Sequence, residues 1–275
     1  MTSIDPYLER VDHGPVRFLH RLNPLAKLGA ALPAMALLLF TRDIATPVAF
    51  LLLCVALLAI GAHLDGRIWL AIVVGIPLVA TLMAASFALW ADPAQVDRSV
   101  VLFAIGDYRY YLGALLVGAA TALRLMALIG LALLSGTTST GPDLVRAMVQ
   151  QLRVPYRIGY TALAAFRFVP RFGHELQVIR SAHRVRGMAG GRGPFAIARR
   201  WLGYVVPLLA GAIRHAERVA LAMDARGFGA HRSRTERHLV PFRARDWVFI
   251  ALFWAATAAL FVVIPQLGIQ PIGVR

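Results

Sequence analysis

YRIGYTALAAFRFVPRFGHELQVIRSAHRVRG (residues 156–187) and WLGYVVPLLAGAIRHAERVALAMDARG (residues 201–227) end on the same short signature. The first closes with Arg184-Val185-Arg186-Gly187, the second with Asp224-Ala225-Arg226-Gly227. In the first, Val169, Phe172, Leu176 and Ile179 recur at three- and four-residue steps, which places them on one face of a helix. Arg167, Arg171, His174, Glu175, Arg180 and Arg184 fill the rest of it, and Pro170 is expected to bend it. In the second, Trp201, Tyr204, Val205, Leu208, Ala212, Ala216, Val219, Ala220 and Met223 form the apolar stripe, with Arg214, Glu217, Arg218 and Asp224 off it. Each helix is expected to stop where a glycine takes the left-handed conformation that closes a C-terminus. Each puts an arginine just before that glycine, where the helix dipole favours a cation.

The surrounding chain reads as a membrane protein. At 275 residues with 59% apolar content and a mean hydropathy of +0.65, it is too hydrophobic for an ordinary soluble domain. Spans are expected over residues 24–40, 44–62, 68–90, 111–135 and 246–265, with Lys27 snorkelling at the inner edge of the first. Thr41-Arg42-Asp43 is an outer turn. Residues 91–110 form the one sizeable outer loop, carrying Asp92, Asp97, Arg98, Asp107 and Arg109, with Tyr108, Tyr110 and Tyr111 as an aromatic belt. In the fourth span, Ala114, Gly118 and Ala122 place a small residue at every fourth position, which lets another helix approach closely. Arg124 lies near the middle of that span, where an unpaired charge is costly, so it is expected to be a structural anchor on a carbonyl or acid.

Charge is concentrated in the segment that holds the two signatures. Of 29 basic residues, 19 lie between Pro142 and Asp246 against six acids, so that segment carries +13 of the total +15. The excess assigns it to the cytoplasm and suits an acidic partner or anionic lipid head groups, against which Arg180, Arg214 and Arg218 are expected to lie. Basic residues alternating with apolar stripes do not make the open arm of a nucleic-acid binder. "SGTTSTGPD" (residues 135–143) is a loop whose Ser or Thr caps a short helix over 143–152, stopped by Pro155. Gly187 to Gly193 is a glycine-rich connector. It cannot be a phosphate-binding P-loop, which needs a Lys before Ser or Thr, because Lys27 is the only lysine. Cys54, the single cysteine, lies in an apolar run and is expected to pack as a small hydrophobe. The histidines lack helical ligand spacing, so neither a metal site nor a cofactor is expected.

The paired endings resemble the two Ala-Arg-Gly motifs of the transmembrane T component of energy-coupling factor transporters. The similarity extends upstream through "LRLMALIGLALLSGTTSTGPDLVRAMVQQL" (from Leu123) and "FRFVPRFGHELQVIRSAHRVRG" (from Phe166), covering at least Leu123 to Gly229. Val185 departs from the family's usual alanine in the first motif, while the second is intact. The resemblance implies an all-α integral membrane protein with about five transmembrane helices plus long amphipathic cytoplasmic coupling helices. It would be organised as a lead-in and four spans (1–135), a coupling region (136–245) and a last span with its tail (246–275). It further implies a non-catalytic scaffold in a bacterial cell membrane that links two cytoplasmic ATPase subunits to a separate substrate-binding membrane subunit, the S component, for uptake of a vitamin or a transition metal ion. Arg186, Gly187, Ala225, Arg226 and Gly227 would be the points of contact with the ATPases. Two other classes compete: a self-contained secondary transporter, which would want a midplane site or inverted repeats, and a membrane-embedded enzyme, which would want clustered carboxylates or histidines near the interface.

Overall fold

The computed structural model describes residues 17–90, 100–105, 108–187, 193–231, 235–236 and 238–266. The lead-in up to residue 16, the loop residues Asp92, Asp97, Arg98 and Asp107, connector residues 188–192 and the tail after residue 266 lie outside them. The protein is an all-α membrane protein with one small hairpin. Its helices are α1 (Pro24–Leu38), α2 (Ala45–Gly61), α3 (Gly66–Trp90), α4 (Leu112–Gly136), α5 (Gly141–Gln151), α6 (Tyr156–Val185), α7 (Pro194–Ala225) and α8 (Ala244–Gln266). β1 (Val101–Ile105) and β2 (Tyr108–Tyr111) pair antiparallel between α3 and α4, within what the sequence presents as a loop. The described residues fall into two compact units: residues 17–144 with 240–266, and residues 145–239.

Length and composition single out α3, α4, α7 and α8 as able to cross a bilayer, with α1 and α2 as shorter apolar helices. α7 differs from the others. Its most apolar window has a mean hydropathy of 1.2 against 2.0 to 2.5 for the other three. Its uninterrupted apolar run, Trp201 to Ile213, is bounded by Arg200 and Arg214 and extends only about 20 Å at 1.5 Å per residue. That falls short of a hydrocarbon core of about 30 Å and suits a helix lying in an interface.

The membrane unit is knit by three devices. First, α1 has 15 residues and rises only about 22 Å, and the turn that follows it presents the carbonyls of Leu39 and Thr41 to a side-chain donor. Arg124, in the middle of α4, donates from Nη1 to the carbonyls of Leu39 and Thr41, both at 3.3 Å. The partners are therefore carbonyls rather than an acid, and the cation meets the negative end of the α1 dipole. Second, α3 and α4 cross where Gly118 meets backbone: a Cβ there would stand 2.4 Å from the Ala84 carbonyl oxygen and 2.9 Å from the Ala88 nitrogen. Ala80, Ala84 and Ala88 on one helix and Ala114, Gly118 and Ala122 on the other are all buried. Tyr110 is buried against Ala88 and Ala114 rather than standing in a lipid-facing belt, because the hairpin folds it back onto the crossing. We expect Gly118→Leu to drive these helices apart and abolish the monodisperse folded protein on size exclusion. Leu116→Ala, on an exposed face of α4, should elute as wild type.

The third device is a polar junction at the start of α1. Lys27 does not snorkel. It is fully buried, and its ammonium donates to the Leu19 carbonyl (3.1 Å), the Thr138 carbonyl (2.9 Å) and Thr138 Oγ1 (2.9 Å). All three protons are used, which is what makes a buried ammonium tolerable. Asp246, also fully buried, accepts from the backbone N–H of Asn23 on Oδ1 and of Arg243 on Oδ2, each at 2.7 Å. Asn23 caps α1 by accepting from Leu25 N at 2.9 Å and donates to the Val240 carbonyl at 3.2 Å. The first helix, the last helix and the α4–α5 loop are thereby tied at one level. Around them lies the main core of Leu19, Ala26, Ala30, Phe50, Leu131 and Leu134, and Cys54 packs in it as a small apolar group.

Candidate coupling site

Two long helices carry the candidate site. α5 leads into them, with Thr140 Oγ1 accepting from Asp143 N at 3.3 Å at its start. It ends at Gln151, ahead of Pro155, with Arg153 in the left-handed region at φ 55°. α6 and α7 then run antiparallel. Phe168 stacks on His215 with ring centroids 4.3 Å apart, and the Arg180 guanidinium lies over the Trp201 ring at 4.7 Å. His183 meets Tyr204 edge-on at 5.2 Å. From the Phe168–His215 contact to the Arg180–Trp201 contact the chain advances along α6 and retreats along α7. Arg180 is therefore held by an indole rather than left for head groups, a cation–π pairing of about 0.5–1 kcal/mol where exposed. Pro170 and Pro207 both lie inside these helices, and each removes one backbone hydrogen bond near the middle.

Both endings have the backbone their glycines allow. Gly187 has φ +70° and Gly227 φ +68°. At the second, Gly227 N donates to the Asp224 carbonyl (2.9 Å) and Phe228 N to the Met223 carbonyl (3.0 Å), the paired bonds of a Schellman motif. At the first, Gly187 N donates to the Arg184 carbonyl (3.1 Å). Arg186 and Arg226 occupy the C-cap position of their helices, and Ala225 is the last residue of α7. Both arginines are exposed, and neither guanidinium has a hydrogen-bond or ion-pair partner among the described residues. Because the helices are antiparallel, these two tips stand at opposite ends of the pair. α6 has 30 residues, so the separation is on the order of 40 Å.

The Arg226 end is also clasped. Phe228, just past the motif, packs edge-on against Tyr156 (5.7 Å) and Tyr160 (6.3 Å) at the start of α6. Tyr156 donates its hydroxyl to the His231 carbonyl (2.5 Å), Arg157 donates to the Gly229 carbonyl (2.6 Å), and Tyr160 donates to Glu236 Oε2 (2.8 Å). Nothing in the spacing of these residues announces the clasp. It becomes visible only once the antiparallel packing brings residue 156 to residue 228.

The sequence reading also missed a second stripe on α7. Phe195, Leu202, Val206, Leu209 and Ile213 fall within about 40° of one line at 100° per residue. They are 50% exposed or more, with Phe195 at 90% and Val206 at 72%. The face against α6 carries Tyr204, Leu208, Gly211 and His215, so α7 is apolar on two sides and the described residues cover only one.

Comparisons with known proteins agree with this architecture. The family described as CbiQ, cobalt transport protein, matches residues 15–237. The energy-coupling factor transporter transmembrane protein EcfT of Bacillus selenitireducens is 27% identical over 250 residues, covering 88% of this chain and 91% of that protein. EcfT of Limosilactobacillus fermentum is 28% identical over 260 residues (89% and 92%), and that of Streptococcus thermophilus 26% over 260 residues (89% and 93%).

Proposed function

The chain belongs to the CbiQ family of cobalt transport proteins, a family of multi-pass bacterial membrane proteins that includes the transmembrane component of energy-coupling factor transporters, and from that membership we propose that it is the subunit that passes ATP-driven motion to a substrate-binding membrane partner. In this reading two cytoplasmic ATPases each receive one arginine tip, Arg186 with Gly187 at one end and Ala225, Arg226 and Gly227 at the other. A separate S component carrying a vitamin or a transition metal ion docks on the uncovered stripe of α7. The observation that carries the reading is the antiparallel hairpin itself. Two arginines at helix C-caps, without a partner among the described residues and on the order of 40 Å apart, suit two copies of one groove better than a single small ligand.

Two features support the division of labour. ATP hydrolysis by a P-loop needs a lysine on the phosphates, and Lys27 has all three of its protons on Leu19 and Thr138. The clasp of Tyr156, Tyr160 and Phe228 joins the Arg226 tip to the first turn of α6. Displacement of that tip then moves α6 as a body, and the stripe on α7 moves with it through the Phe168–His215 and Arg180–Trp201 contacts. Purified from native membranes, the chain should bring two ATPase polypeptides and one small membrane protein with it. ATP turnover should depend on the complex and fall to background once the chain is stripped of its partners. Turnover retained by the isolated chain would overturn this reading.

A further inference from the structure

The cleft between α6 and α7 draws its charged lining from Arg171 and Glu175 on α6 and from Arg214 and Arg218 on α7. It holds three guanidinium groups and one carboxylate, so its arginines outnumber its acids by two. None of Arg171, Arg214, Arg218 or Glu175 has an ion-pair or hydrogen-bond partner among the described residues, although all four share the cleft. His215 is stacked flat on Phe168, and Gly211 lets Glu175 approach so closely that a Cβ there would lie 3.3 Å from Oε1. On the helical wheel, Arg214 and Arg218 sit on the shoulder of α7 between the face that packs on α6 and the uncovered stripe of Leu202, Val206, Leu209 and Ile213. A ligand for this place needs an anionic oxygen group for the arginines and an apolar body for the stripe beside them.

We propose that the α6–α7 cleft is a binding site for the phosphate head group of an anionic phospholipid, held by Arg171, Arg214 and Arg218 with its acyl chains along the edge of the uncovered stripe of α7. Planar guanidinium groups pair with phosphate oxygens in two-point fashion. α7 has the length and uncovered apolar surface of an interfacial helix, so phospholipid is the amphiphile at hand. Glu175 opposes the head group, which gives the site a charge-dependent test. The proposal rests on the reading of α6 and α7 as membrane-surface helices. It does not depend on the arginine tips.

The full chain in neutral detergent, free of other subunits, is titrated with dioctanoyl phosphatidylglycerol, dioctanoyl phosphatidylcholine and inorganic phosphate, and bound lipid is read by native mass spectrometry. Phosphatidylglycerol should bind at least about fivefold more tightly than phosphatidylcholine. Arg214→Gln and Arg218→Gln should each weaken it roughly fivefold, as expected for one arginine at a lipid surface. Glu175→Gln should tighten binding several-fold, and that gain carries the test even if an arginine variant folds poorly. Arg167→Gln, outside the cleft, should change nothing. Phosphatidylglycerol affinity indifferent to Arg214 and Glu175 would remove the site. Inorganic phosphate competing with the same arginine dependence would make it a free-phosphate site and overturn the lipid assignment. Inward-only labelling of Val185→Cys, with Cys54 replaced, checks the surface-helix premise by itself, and copurification of ATPases reads the coupling role separately.

Discussion

Arg186→Glu combined with Arg226→Glu is expected to abolish recovery of both ATPases with the chain, and uptake with them. A guanidinium that becomes buried and two-point bonded at an interface centre typically costs about 2 kcal/mol or more on truncation, roughly thirtyfold in affinity. Reversing its charge against a carboxylate or a ring of carbonyls costs more. Each single variant should release one ATPase and leave the other, because the antiparallel hairpin places the tips at separate ends. Arg167→Glu, exposed in mid-α6, is the control. As a solvent-facing charge it should cost well under 1 kcal/mol. Pulldown of the ATPases and uptake in cells supplied with the matching S component read all four proteins. A double variant that still assembles and transports would reduce the Arg-Gly endings to helix caps.

The second large effect is on folding. Lys27→Met is expected to destabilise the membrane unit by about 3 kcal/mol or more, since it leaves the Thr138 carbonyl buried without a donor and the Leu19 carbonyl with only the Leu22 N–H at 3.4 Å. Thermal unfolding in detergent, followed by loss of the monodisperse peak, should show most of the protein lost at temperatures where wild type survives. Asp246→Asn should be milder. The amide oxygen can still accept from either Asn23 N or Arg243 N, but not from both as the carboxylate does. A melting temperature for Lys27→Met within about 2 °C of wild type would show that the junction is not a structural node.

The helix endings and the Lys27 junction differ in how far local sequence determines them. The helix endings at Gly187 and Gly227 can be read from sequence because a C-cap is a local device, needing only the glycine and the turn before it. The spans can be read for the same reason, and α2, α4 and α8 begin and end within two residues of the hydropathy reading. Lys27 could not be read. At the first turn of an apolar helix a lysine ordinarily reaches outward, and only the return of the Thr138 carbonyl from 111 residues away turns it inward. The spacing of Ala114, Gly118 and Ala122 is common enough in alanine-rich helices to say little, until Ala84 is found pressed against Gly118. Arg180 carries charge in mid-helix and so suggests head groups, but Trp201 claims it from the neighbouring helix. The second stripe of α7 was hidden by the first. A helix apolar on two sides has no single clear face, and which side stays open is decided by where α6 packs.

If the two arginine tips meet two ATPases at once, photo-crosslinking should capture both contacts. A photoreactive side chain is placed at Val185, 89% exposed beside the first tip, or at Ala225, beside the second, with both arginines intact. Irradiated in the assembled transporter, each single variant should give an adduct of one chain with one ATPase. The double variant should give one chain joined to two. Adducts only with lipid or with a membrane partner, at either position, would contradict the account.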